Sequence, residues 1–139
     1  MCIEERLRLD AQSIREQYLN KRVRKGNVAV IEVHLINGIS FGVGATSRTK
    51  SPIPKPKPKS EGGQFDPIIH EGYLRDHDAE YKALSAVADT LEMFDNDQVE
   101  GKLYLYTERI PCRSCWGVID QFKEKFPQIE IETLWDFPN

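Results

Sequence analysis

The chain has 139 residues, 40% of them hydrophobic and 29% charged, with a net charge of −3; this is one domain with one core, over residues 1–139. The mild acidity argues against coating nucleic acid by bulk charge but leaves room for a local basic patch. No apolar run of about 18 residues is present to span a membrane, the first residues are no signal peptide, and three cysteines, two of them in one Cys-x-x-Cys, do not make a disulfide framework, so reduced thiols are expected.

Ile3, Leu7, Ile14 and Tyr18 recur at helical spacing among charges, which predicts an amphipathic N-terminal helix within residues 1–20. A chain that opens directly in such a helix reads as a domain from something longer. Residues 27–35 are rich in β-branched types, and residues 39–45 return after Asn37-Gly38. That pair is suited to the two positive-φ positions of a type I′ turn, so a β-hairpin is expected. Gly42 and Gly44 in the return strand leave space for a close backbone or a ligand.

Residues 46–70 are of another kind. Alternating prolines between Pro52 and Pro58 remove backbone donors, which predicts an exposed loop. Arg48, Lys50, Lys55, Lys57 and Lys59 make it basic, either as a solvated surface or as an arm that meets phosphates. A helical period returns over residues 76–94, with Glu80, Leu84, Val87 and Leu91 on one face. Residues 102–107 alternate as a strand, residues 114–126 form a helix with Cys115, Ile119, Phe122 and Phe126 on one face, and residues 129–134 alternate again. The order predicts an α/β domain, a sheet covered by helices.

The chemistry concentrates in two short segments. Pro111-Cys112-Arg113-Ser114-Cys115 joins a predicted strand to a predicted helix, where free N–H groups and the helix dipole favour thiolates. Two sulfurs one turn apart can share a tetrahedral Zn²⁺. Upstream, His77-Asp78-Ala79-Glu80 opens the other helix and supplies a third ligand and a carboxylate. Glu80 lines up with an inward-packing stripe, which is costly for a carboxylate without a partner or a task. Three protein ligands leave a fourth position for water, the pattern of a catalytic zinc site. His34 and His70 have no motif around them and read as ordinary structural histidines.

These segments resemble the zinc-dependent nucleotide and nucleobase deaminases, whose signature is His-x-Glu followed by Pro-Cys-x-x-Cys. The closer resemblance is to the deaminase toxins of bacterial polymorphic toxin systems. It is carried by residues 27–33 with a glycine-containing turn, Thr46-Ser47, Asp78-x-Glu80-Tyr81-Lys82-x-Leu84, and Tyr106-Thr107-Glu108-Arg109-x-Pro111-Cys112-x-Ser114-Cys115. Gln121-Phe122 ahead of Pro127 completes it. The similarity runs from about Asn27 to Leu134, leaving the N-terminal helix and the proline-lysine loop unmatched.

The resemblance implies a three-layer α/β/α fold, with a mixed sheet that starts in a β-hairpin, two zinc-site helices and an extra N-terminal helix. It implies hydrolytic deamination of cytosine to uracil, with Glu80 as proton carrier and Asp78, Cys112 and Cys115 on zinc. Asp78 stands where most deaminases have histidine. Its register matches the motif, while His77, one residue earlier, is the alternate third ligand by chemistry. Ser47 is implied as a base or sugar contact, and Tyr81, Trp116 and Phe41 are candidates for stacking on the base.

The five basic residues between Arg48 and Lys59 favour single-stranded DNA as substrate; RNA, double-stranded DNA and free nucleotides are the alternatives. Toxin resemblance implies an effector domain delivered into a target-cell cytoplasm, a cognate immunity protein, no membrane partner and a monomer. Two readings of other classes compete. A thioredoxin-like thiol-redox protein shares the strand–Cys-x-x-Cys–helix pattern, but too little chain follows Cys115 for most of its sheet. A structural zinc module closes all four positions, and this cysteine count falls short of that.

Overall fold

The computed structural model describes residues 2–18, 27–36, 38–46, 69–70, 73–74, 79–92, 99–109 and 113–137. Helix α1 spans Ile3–Tyr18, and strands β1 (Val28–Leu35) and β2 (Ser40–Thr46) form the hairpin. Two short strands follow, β3 (Ile69–His70) and β4 (Tyr73–Leu74), then α2 (Ala79–Glu92), β5 (Gly101–Arg109), α3 (Arg113–Lys125) and β6 (Ile129–Phe137). The α/β expectation holds: three helices accompany a four-stranded mixed sheet of order β2-β1-β5-β6. β1 runs antiparallel to β2 and β5, and β6 runs parallel to β5. A parallel neighbour needs a crossover, and α3 provides it.

Most of residues 46–70 lie outside the described residues. The last two form β3, which pairs with β4 in a separate two-stranded ladder.

The hairpin turn differs from the type I′ expectation. Leu35 N–H donates to the Ile39 carbonyl at 2.8 Å, and Gly38 N–H to the Leu35 carbonyl at 3.1 Å. With His34 opposite Ser40, the loop has three residues, 36–38. Gly38 alone supplies a described positive φ, at 93°. A three-residue connection built on a turn followed by a left-handed glycine meets strand twist as well as the two-residue form does.

Pleating divides the core. Ala29, Ile31, Val33 and Leu35 of β1, with Leu103 and Leu105 of β5, pack with Leu84, Val87 and Leu91 of α2, with Ile119 and Phe122 of α3 and with Phe126 just past its end. The alternate residues Val28, Val30 and Tyr106 pack with Leu7 and Ala11 of α1. Over residues 28–31 β1 is thus apolar on both sides, as a central strand covered on both faces must be.

Arginines fasten α1 to the sheet. Arg8 Nε and Nη2 donate to the two oxygens of Asp136 at 2.7 and 2.8 Å. Arg15 grips Glu108 the same way at 2.7 and 2.6 Å. Arg6 Nη2 reaches both oxygens of Glu32 at 2.7 Å.

Gly42 and Gly44 do leave space, on the α1 side. With Ser40 they border a groove of about 540 Å³ whose other wall is Asp10, Ser13 and Gln17 of α1. It lies across the sheet from α2 and α3.

Candidate active site

Four strand ends meet where α3 begins. β5 ends at Arg109 and α3 starts at Arg113. The antiparallel register brings Ala29 opposite Thr107 and Val28 opposite Thr46. The parallel register brings Trp135 opposite Thr107. This end of the sheet carries Asn27, Thr46, Thr107 and Trp135. Both threonines are fully buried, and Asn27 Nδ2 donates to Thr107 Oγ1 at 2.7 Å. A polar floor under a sheet otherwise packed with aliphatic side chains is a local exception, and buried hydroxyls persist where they are hydrogen-bonded.

The direction of the two helices follows from one ion pair. α2 and α3 pack against each other, and Lys125 Nζ pairs with Glu92 Oε1. Lys125 closes α3 and Glu92 closes α2. Each helix is about 20 Å long at 1.5 Å per residue, so an antiparallel pair would hold these side chains far out of reach. α2 and α3 therefore run in the same direction, with their starts, Ala79 and Arg113, at the same end. Glu80 is the second residue of α2, and Cys115 lies in the first turn of α3.

His77, Asp78, Cys112 and Ser47 lie outside the described residues, as do the side chains of Glu80 and Cys115. Among the described residues no group of three His, Cys, Asp or Glu side chains is placed to hold a metal ion. By residue type, two cysteines in a Cys-x-x-Cys with a histidine and an aspartate upstream in sequence are a donor set that suits Zn²⁺.

Tyr81 is fully buried and belongs to the core shared by α2, α3 and the sheet. Phe41 is partly buried against the same core. Trp116, one residue beyond Cys115, is 37% exposed. Its ring meets that of Trp135 edge to face, with centroids 6.0 Å apart and planes at 86°. Trp135 and the polar pair Asn27–Thr107 were not singled out by sequence; their signal is positional and emerges only from strand register. The burial of Lys82 was also missed: it is 1% exposed in the first turn of α2, a helix that turns buried side chains in nearly every direction.

Behind this end, on the α1 side, Tyr106 donates its hydroxyl to Asp136 Oδ2 at 2.5 Å. Burial, then this bond, pushes the Tyr106 phenol above its ordinary range. The hydrogen bond from Arg8, followed by that from Tyr106, holds Asp136 below the usual carboxylate range despite partial burial. His34 sits toward the opposite end, beside Ser40 and Lys102, with Nε2 3.1 Å from Glu32 Oε1. No helix among the described residues is long and apolar enough to cross a membrane.

The mixed sheet, with α2 and α3 running in the same direction beside it, is consistent with a deaminase fold. A model of the toxin-deaminase family, described as the BURPS668_1122 family of deaminases, matches residues 12–136. The chain belongs to that family. The first nine residues of α1 fall outside the match. No curated protein matches the chain.

Proposed function

We propose that this chain deaminates cytosine to uracil in single-stranded DNA, as the toxin domain of an interbacterial effector. Asp78, Cys112 and Cys115 hold zinc, with His77 as the alternate third ligand, and the fold is a three-layer α/β/α deaminase. The observation that most supports this reading is the shared direction of α2 and α3, which gives Glu80 and Cys115 helix starts at one end of the sheet. Zinc, when held, supplies a lowered pKa for water. Glu80 moves the protons: it takes one from the attacking water, delivers it to N3 of the ring, and passes another to the departing ammonia. This role needs Glu80 beside the metal rather than on it. Ser47 and Trp116 are placed by the reading at the base. The basic stretch from Arg48 to Lys59 meets the polynucleotide backbone, so activity falls as salt rises. A cognate immunity protein neutralises the domain, which acts in the cytoplasm of the target cell.

Mass-spectrometric detection of cytosine-to-uracil conversion on a panel of single-stranded DNA, double-stranded DNA, RNA and free nucleotides tests the substrate. Glu80→Ala is expected to keep zinc and secondary structure while losing turnover by at least about 100-fold, as removal of a general acid–base group does. Substantial conversion by that variant rules the mechanism out. In the same preparations, whichever of Asp78→Ala and His77→Ala keeps full zinc content was not the ligand. A preparation that never binds zinc but cycles between dithiol and disulfide would favour the redox alternative.

A further inference from the structure

We infer that Trp116 and Trp135 form a stacking subsite for a nucleobase of the single-stranded substrate, next to the cytosine under attack. The inference rests on the nucleic-acid reading above and adds a substrate contact, Trp135, from the last strand. Both rings are more than a third exposed, at 37% and 39%. Free aromatic surface of this size is unfavourable in water at about 25 cal/mol per Å². The 86° angle between the planes makes a corner: one ring offers a face for stacking and the other closes the side. A base has the flat shape to fill it, and stacking tolerates any base because each has a π face.

Position selects this occupant. Trp116 follows Cys115 in the first turn of α3, and Trp135 stands beside Thr107 at the end of β5. Two arginines stand close by in sequence, Arg109 as the last residue of β5 and Arg113 as the first of α3. Glu108 at the end of β5 and Asp136 beside Trp135 are both gripped by arginines of α1. Repulsion of a polyanion is thereby reduced. Among the described residues the other exposed large hydrophobics lie elsewhere: Ile36 and Ile39 at the hairpin turn, at the opposite end of the sheet, and Leu9 on α1. Among the described residues the corner is thus a small patch that suits one ring system rather than a protein face.

The chain has only these two tryptophans beside five tyrosines, so its tryptophan emission, excited at the red edge where tyrosine does not absorb, reports on the corner alone. Titration of the full-length protein with a cytosine-free oligothymidylate, which is not turned over, is expected to quench that emission. An abasic strand of equal length and charge should leave it nearly unchanged. An oligouridylate arm tells whether DNA or RNA sugar is preferred. Trp135→Ala is expected to weaken oligothymidylate binding about tenfold or more, with Trp135→Phe close to wild type and circular dichroism unchanged in both. Trp116→Phe and Trp116→Ala supply the same comparison on α3. Equal quenching by the abasic strand, no quenching by any strand, or unaltered affinity in both alanine variants would overturn the subsite. A shift in emission with protein concentration alone would also overturn it, because a second copy would then occupy the corner. The two readings fail separately: deamination without base-dependent quenching removes the corner, whereas base-dependent quenching without deamination removes the enzyme assignment.

Discussion

Gly101 opens β5 against the backbone of β1. A Cβ at this position would lie 2.4 Å from the His34 carbonyl oxygen and 2.9 Å from Leu35 Cα. Backbone atoms yield poorly, so Gly101→Ala is expected to cost about 2 kcal/mol of stability, the range of overpacking. Gly42→Ala serves as a control, because its Cβ would meet only the Ile31 carbonyl oxygen at 3.4 Å and should change stability by less than about 0.5 kcal/mol. Urea midpoints of the two variants check both statements, and a neutral Gly101→Ala would refute the first. Legibility at this scale follows chemical distinctiveness. Cys112, Cys115 and Glu80 stand out because few tasks other than metal binding and proton transfer require those types at those spacings. Trp135 carries no such mark: its neighbour Trp116 lies far off in sequence, and only the parallel register of β5 and β6 with the α3 crossover joins them. Lys82 was equally unreadable, since a lysine in a helix is by default solvated, and nothing local announces that α2 is enclosed.

Periodicity found all three helices and all four strands of the main sheet to within a few residues of their ends, because apolar alternation and the 3.6-residue repeat are local properties. It did not see how α2 is buried. Leu84, Val87 and Leu91 gave the expected stripe, but Ala79, Ala83, Ser85 and Ala88 are buried too. Small side chains admit close neighbours without an apolar signature. Nor did composition reveal that α1 is fastened by arginines, since ion pairs between distant segments leave no spacing pattern. The three contacts differ in weight. Arg15 and Glu108 are only 18% and 15% exposed, and Glu108 Oε1 also accepts from Val28 N–H at 3.1 Å. Arg6 and Arg8 are more open, at 47% and 33%. Arg15→Ala leaves the Glu108 carboxylate half-desolvated and is expected to cost about 2 kcal/mol, as loss of a hydrogen bond to a charged group does. Arg6→Ala should cost less, because exposed pairs are screened by water. Chemical denaturation at low and at high salt orders them, with the Arg15 effect persisting at high salt; an equal loss in both variants would contradict this ranking.

The whole molecule joins two cores across one sheet, and the ionisable groups at the α1 side tie its stability to pH. Asp136, held below its ordinary pKa chiefly by the Arg8 hydrogen bond, loses more by protonation in the native state than in the unfolded chain. Its contribution is present above the unfolded carboxylate pKa of about 3.9 and disappears as pH falls through the depressed native value. Tyr106 acts at the other limit. Burial, with its bond to Asp136, raises the phenol, so that contribution is complete below the unfolded tyrosine pKa of about 10 and is lost as pH climbs toward the native value. Arg8, Tyr106 and Asp136 are one cluster linking the N-terminal helix, β5 and the last strand. Its failure releases α1 from the sheet while the α2–α3 side, with its own core, is less affected. Urea unfolding followed across acid and alkaline pH should therefore show stability falling at both limits. Asp136→Asn should be less stable at neutral pH and show a shallower acid decline, while Tyr106→Phe should flatten the alkaline decline alone. Deamination measured at mildly acidic pH in Asp136→Asn should track the fraction of folded protein. A loss of turnover while the fold stays intact would instead mean that the α1 side acts on the catalytic end directly, through the β5 strand that the two faces share.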